Sequence, residues 1–154
     1  MLIDPLPLLE GFQWPSMVQW WRRWGFGELI MGSVNHWWLA RTLRSGAASP
    51  QAWTDEHVAA VYDQFDQGTQ RAILRLHRSA SEDQLAQAGL DLPEIDAPAL
   101  VVWGARDPWI PAGFGRRYAD VLHAQLQTLP DAGHWPWLDR PDAIDLVASF
   151  LEQT

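Results

Sequence analysis

Residues 98–111 read PALVVWGARDPWIP, and residues 124–134 follow with AQLQTLPDAGH. The first stretch is a continuous apolar run, β-branched at its centre, bounded by Pro98 and Gly104. That is the pattern of a strand buried on both faces. Asp107 comes three positions after Gly104, just beyond the strand. The second stretch holds a shorter strand, and His134 comes five positions after Leu129 in a Gly-His turn. Between the two strands, a helix is predicted from about Pro111 to His123. After the turn, Pro141 opens a last helix with Ile144, Val147, Ala148 and Leu151 predicted on one face. Strand, helix, strand, helix with short connections is an α/β pattern with a parallel sheet. In such sheets, working residues gather beyond the carboxyl ends of the strands. Two neighbouring strands would thus bring an acid and an imidazole to one edge. A carboxylate fixes the imidazole tautomer and stabilises the imidazolium, and the imidazole then serves as general base.

The rest of the chain has a different character. Residues 1–12 begin with a short apolar run, MLI, that stops at Asp4-Pro5. Pro cannot continue a central strand, so this is the end of a strand leaving a sheet. Residues 13–90 read as a series of short helices. Ser49-Pro50 and Thr54 offer helix starts, and Gly68 is predicted to end the segment DEHVAAVYDQFDQG. Val58, Val61, Tyr62 and Phe65 fall on one helical face. Thr69 is a start for QRAILRLHR. Ser81 with Gln84 forms a capping box, and Gly89 closes that helix. The division is therefore 1–12, a strand end and entry to a cap; 13–90, a helical Trp-rich cap; and 91–154, an α/β core segment.

Bulk properties narrow the function. The chain has 154 residues, a 47% hydrophobic and 19% charged composition, and a net charge of −8. This is a globular composition, and the acidic balance argues against a nucleic-acid partner. There are no cysteines, so thiolate chemistry and disulfides are excluded. No apolar run reaches the roughly 20 residues that a membrane span needs. The start MLIDPLPLLEGF lacks a basic signal-peptide region, which points to a cytoplasmic protein. No His/Asp/Glu cluster has metal-ligand spacing, and no cofactor is expected. Eleven tryptophans stand out, seven of them before residue 60: Trp14, Trp20, Trp21, Trp24, Trp37, Trp38 and Trp53. They read either as helix packing or as an aromatic wall over an apolar ligand.

The segments VVWGARDPWIP and LPDAGHWPWLDRPDAIDLVASFL together resemble the carboxyl-terminal end of the α/β-hydrolase fold. There the acid follows a strand in a G-x-x-D-x-x-x-P context, and the base sits in a G-H turn before the final helix. The resemblance implies that Asp107 is the acid and His134 the base, 27 positions apart. LIDPLPLLEGF is similar to the strand that enters the family's cap, so nearly the whole chain resembles the second half of a capped α/β-hydrolase. The implied chemistry is cofactor-free hydrolysis of an apolar ester, or of a carbon–halogen or epoxide bond. Trp109, Trp135, Trp37 and Trp38 are the candidate substrate-binding residues. Trp109, Trp135 and Trp137 flank the acid and base, where pocket lining and loop packing are both open.

The nucleophile of that family sits on a strand-to-helix elbow, G-x-S-x-G or its Asp counterpart. None of Ser16, Ser33, Ser45, Ser49, Ser79, Ser81 and Ser149 has glycine two positions away on both sides, and no aspartate does. The resemblance places the elbow ahead of this chain. The expectation is an inactive half that pairs with an amino-terminal hydrolase half or with itself. Asp4 falls where some members carry their acid, and reads either so or as a strand-exit turn. His36, His57, His77 and His123 lie in helical contexts and read as surface or packing residues. Gly25 and Gly27 of GFGE read as a hinge. A different class of function is a non-catalytic binding module with a Trp-rich apolar surface. An interfacial anchor through WPSMVQWWRRW is a third reading, opposed by the acidity of the chain.

Overall fold

A computed structural model describes residues 1–153, and three parallel strands form its centre. They are β1 (Leu2–Ile3), β2 (Leu100–Gly104) and β3 (Gln125–Leu129), in the order β1-β2-β3. Leu2 pairs with Val101, and Leu100 through Gly104 pair in register with Gln125 through Leu129. Between β1 and β2 run six helices: α1 (Ser16–Arg22), α2 (Phe26–Ser33), α3 (His36–Gly46), α4 (Asp55–Asp63), α5 (Gln67–Arg78) and α6 (Glu82–Ala88). Helix α7 (Gly113–Val121) joins β2 to β3. The chain closes with a short α8 (Pro136–Asp139) and α9 (Ala143–Glu152). The chain is an α/β protein, as its strand and helix pattern predicts.

β2 is the axis of the core. Every residue from Leu100 to Gly104 is buried, and the pleat sends alternate side chains to opposite faces. Val101 and Trp103 enter one apolar cluster with Phe114 and Tyr118 of α7 and with Phe12, Trp14 and Val18 before and in α1. Leu100 and Val102 enter the other with Leu129, Ala132 and Ala143. The reading of this run as a doubly buried strand holds, because both faces are covered by different helices.

Four local readings need correction. Gly68 does not end a helix; it lies in the first turn of α5, whose start is capped by Asp66, the carboxylate accepting from Thr69 N–H. Gln64 caps the end of α4 instead, so one expected segment is two helices. Ser49-Pro50 opens only a single 3₁₀ turn, Pro50–Ala52, without a side-chain cap. On α9, the residues against the core are Ala143, Leu146 and Phe150. Ile144 and Leu151 of the predicted stripe are 58% and 60% exposed. Both stripes have helical spacing, and docking on the sheet selects the first. Thr54 and the Ser81–Gln84 capping box act as expected.

A single side chain ties α1, α2 and α5 together. Arg78 at the end of α5 is bidentate to Glu28 of α2, at 2.6 and 2.9 Å, and donates to the carbonyls of Trp21, Arg22 and Arg23. Its guanidinium also lies 4.3 Å over the Trp24 ring. A planar fork with five donors suits this task, and it satisfies the carbonyls that the end of α1 leaves open.

Candidate active site

Asp107 and His134 sit on the turns that follow β2 and β3. Parallel pairing puts both turns at the carboxyl edge. There the backbone of the β2 exit donates to the β3 exit, through Ala105 N–H to Leu129 and Arg106 N–H to Ala132. The approach is close, and a Cβ at Gly104 would overlap the Gly133 carbonyl oxygen.

The two side chains meet. Oδ2 of Asp107 lies 2.8 Å from Nδ1 of His134. Oδ1 of Asp107 accepts the N–H groups of Trp109 and Ile110 at 2.7 and 3.1 Å. The carboxylate side chain is 0% exposed and that of the imidazole 23%. With both oxygens engaged, the acid cannot rotate. Because a carboxylate only accepts, His134 carries its proton on Nδ1 and offers the Nε2 lone pair.

Two tryptophans hold the imidazole. Trp109 lies 4.8 Å from the His134 ring and Trp135 lies 5.3 Å from it, and the two indoles meet edge-on at 5.0 Å. Trp53 backs Trp135 at 5.1 Å. Trp109 and His134 line a cavity of about 410 Å³ whose other walls come from Trp14, Val18, Trp21 and Leu85. Its character is apolar, with His134, Asp4 and His77 among its few polar groups.

Trp135 is behind the imidazole rather than on the cavity wall. Trp37 and Trp38 are further off. They are 63% and 55% exposed on α3, edge-on to each other at 5.8 Å, and do not line this cavity. Both lie in the first turn of α3, whose Asn35 cap accepts from Trp38 N–H. Trp137 is 41% exposed and also stands apart.

Asp4 is brought to the cavity but not to His134. Its side chain has one partner among the described residues, the N–H of Gly104 at 2.9 Å, and Oδ1 is buried without one. Burial raises its pKa to about 8, Gly104 opposing and the nearby Asp107 charge adding to the rise. Its φ of +36° lies in the left-handed region, which Asp tolerates better than most residues.

Asp139 is a residue that the sequence reading passed over. Its Oδ2 accepts from Gly133 N–H at 2.8 Å and from Ala48 N–H at 2.9 Å, and its Oδ1 accepts from Ser49 N–H at 2.8 Å. His134 N–H in turn donates to the Gly46 carbonyl at 2.8 Å. The turn bearing the imidazole is thereby stapled to the end of α3. A Cβ at Gly133 would overlap the Gly46 carbonyl oxygen, so only glycine permits this approach. The available signal was the acidic residue in LDRP, one turn past the histidine.

The profile of the alpha/beta hydrolase family matches residues 1–145. This chain belongs to the alpha/beta hydrolase family. Among curated alpha/beta hydrolases, it is similar to a 2-hydroxy-6-oxononadienedioate/2-hydroxy-6-oxononatrienedioate hydrolase of Klebsiella pneumoniae. The two are 36% identical over 74 residues, 47% of this chain and 26% of the relative. A second such hydrolase, from Pseudomonas putida, is 33% identical over 76 residues, 48% of this chain and 27% of the relative. Among solved structures, an alpha/beta hydrolase fold protein from Burkholderia ambifaria superposes with a TM-score of 0.75 at 22% identity, over 96% of this chain and 54% of that one. The 2-hydroxy-6-oxo-6-phenylhexa-2,4-dienoate hydrolase from Rhodococcus gives 0.75 at 16% identity, over 98% and 54%. At these identities the structures show the fold alone. The match spans about a quarter of the curated relatives and about half of the solved chains. Among the described residues, no helix is long and apolar enough to cross a membrane, and no three His, Asp or Glu residues converge as a metal site would need.

Proposed function

We propose that this chain supplies the acid and base of a hydrolase that attacks a carbonyl carbon in an apolar substrate. The carrying observation is the Asp107–His134 pair, with the imidazole lining an apolar cavity. In this reading, residues 13–90 act as the cap and 91–154 as the carboxyl-terminal core. His134 Nε2 takes the proton of a nucleophile and later returns it to the leaving group, while Asp107 holds the tautomer and stabilises the imidazolium. The nucleophile and oxyanion donors come from a second polypeptide segment that pairs with β1 on the side away from β2. The exposed apolar face of α9 around Ile144 fits such a covering element.

The bond cleaved is either an ester or, as the names of the curated relatives suggest with their oxo-substituted substrates, a carbon–carbon bond beside a ketone. The test compares hydrolysis of p-nitrophenyl butyrate and of 2-hydroxy-6-oxo-6-phenylhexa-2,4-dienoate. Each is offered to the chain alone and to the chain fused behind an amino-terminal alpha/beta hydrolase half that carries a nucleophile elbow. Turnover by the fusion, abolished by His134→Ala, is the expected result. Turnover indifferent to His134→Ala overturns the proposal. The exposed Trp20, Trp24, Trp37 and Trp38 favour a second reading, a binding module with an aromatic surface. An inactive fusion would leave that one standing.

A further inference from the structure

His77 is one of the polar residues lining the cavity that have no task in the acid–base pair. It is on α5, and its ring packs against those of Trp14 and Trp21, with centroids 5.4 and 5.6 Å away. Its Nδ1 is 2.8 Å from the Ile73 carbonyl. A carbonyl can only accept, so Nδ1 carries a proton, and in that tautomer of the imidazole Nε2 is the acceptor. Among the described residues, Nε2 has no hydrogen-bond partner and is not sealed from solvent. The ring is held firmly in place. Arg22 lies 5.1 Å over Trp14 and donates to the carbonyls of His77 and Ala80. His77 and His134 both line the same cavity.

We propose that Nε2 of His77 is a substrate-recognition site, accepting a hydrogen bond from the hydroxyl of an otherwise apolar, uncharged molecule in the cavity that His134 lines. Three features of the geometry carry it: a tautomer set by Ile73, a ring plane set by two indoles, and an acceptor in apolar surroundings. An isolated acceptor there rewards a ligand that donates to it and penalises one that leaves it bare. Selectivity for a hydroxyl is therefore built into α5, while the acid–base pair comes from the turns after β2 and β3. The inference rests on the reading of this cavity as the substrate site, but its test measures binding and not turnover.

The probes are 3-phenyl-1-propanol and its methyl ether, which share a body and differ in the donor. Binding is read from the fluorescence of the tryptophans around the cavity and from the ¹⁵N resonances of His77 in the full chain. The alcohol is expected to bind about three- to tenfold more tightly than the ether, one hydrogen bond's difference, and to move the Nε2 resonance of His77. His77→Phe should make the two probes equal. His77→Gln, which keeps an acceptor, should retain part of the preference. Equal affinity of the native chain for both probes, an unmoved Nε2 resonance, or no binding of either up to its solubility limit would each overturn the assignment. A hydrolase reading that failed for want of turnover would leave these binding results intact.

Discussion

Oδ2 of Asp107 and Nδ1 of His134 stand 2.8 Å apart, and the other oxygen of the same carboxylate is occupied by two backbone N–H groups. The imidazole is therefore oriented by a group that is itself fixed. Asp107→Asn should remove the strongly hydrogen-bonded Nδ1 proton from the low-field region of the proton NMR spectrum, where the native chain should show it. In an assembled hydrolase the same change should lower kcat by about 10⁴-fold, as loss of the correct tautomer does elsewhere. A native spectrum without that low-field proton counts against the pair.

Asp139 acts on His134 through the backbone. Truncation by Asp139→Ala leaves the N–H groups of Gly133, Ala48 and Ser49 without their acceptor. A cost of about 3 kcal/mol is expected in urea unfolding, from lost charge-assisted bonds and partly buried unsatisfied donors. The low-field His134 proton should broaden or shift as well. A stability loss with that proton unmoved would limit Asp139 to a structural staple.

Asp4 gives the fold a pH dependence of definite sign. Its pKa stands near 8 in the folded chain against an ordinary 3.8. The folded state therefore holds the proton more tightly than the unfolded state. This contribution to stability is complete below about pH 3.8 and is lost as pH rises towards 8. Asn mimics the neutral acid, so Asp4→Asn should raise the melting temperature at pH 8 and flatten its decline between pH 5 and 8. An unchanged profile would contradict the burial argument.

Arg78 joins α5 to α1 and α2. Arg78→Ala leaves the carbonyls of Trp21 and Arg22 without that donor, while Glu28 keeps Gly25 N–H and the Arg23 carbonyl keeps Gly27 N–H. A loss of stability is expected in urea unfolding, from the carbonyls left without a donor, with Arg78→Lys recovering only part because an ammonium cannot match the fork. Hydrogen exchange should rise in α1 and α2 and stay unchanged in β2. A uniform rise would mean that the helices are not separately held.

Several features were legible because they are local. The run from Leu100 to Gly104 is apolar at every position, β-branched at its centre and bounded by Pro98 and Gly104, which suits a strand covered on both faces. The turns that carry Asp107 and His134 follow at short range, so parallel pairing alone brings them together. The caps Thr54 and Ser81 depend on contacts three residues away. Asp66 was missed because Gly68 reads as a stop, although a carboxylate two residues earlier can start a new helix around it.

The amino-acid sequence by itself determined the strand–helix alternation, the placing of Asp107 and His134 on the turns beyond two neighbouring strands, and the absence of thiol chemistry. Each follows from periodicity, residue type or short-range spacing. Only the tertiary structure decided which stripe of α9 faces the sheet, since Ala143–Leu146–Phe150 and Ile144–Val147–Leu151 are equally apolar. It alone sent Trp37 and Trp38 outward, turned Asp4 into a buried acid beside Gly104, and brought His77 to the cavity that His134 lines. These outcomes depend on contacts between residues tens of positions apart, and helix packing settles them.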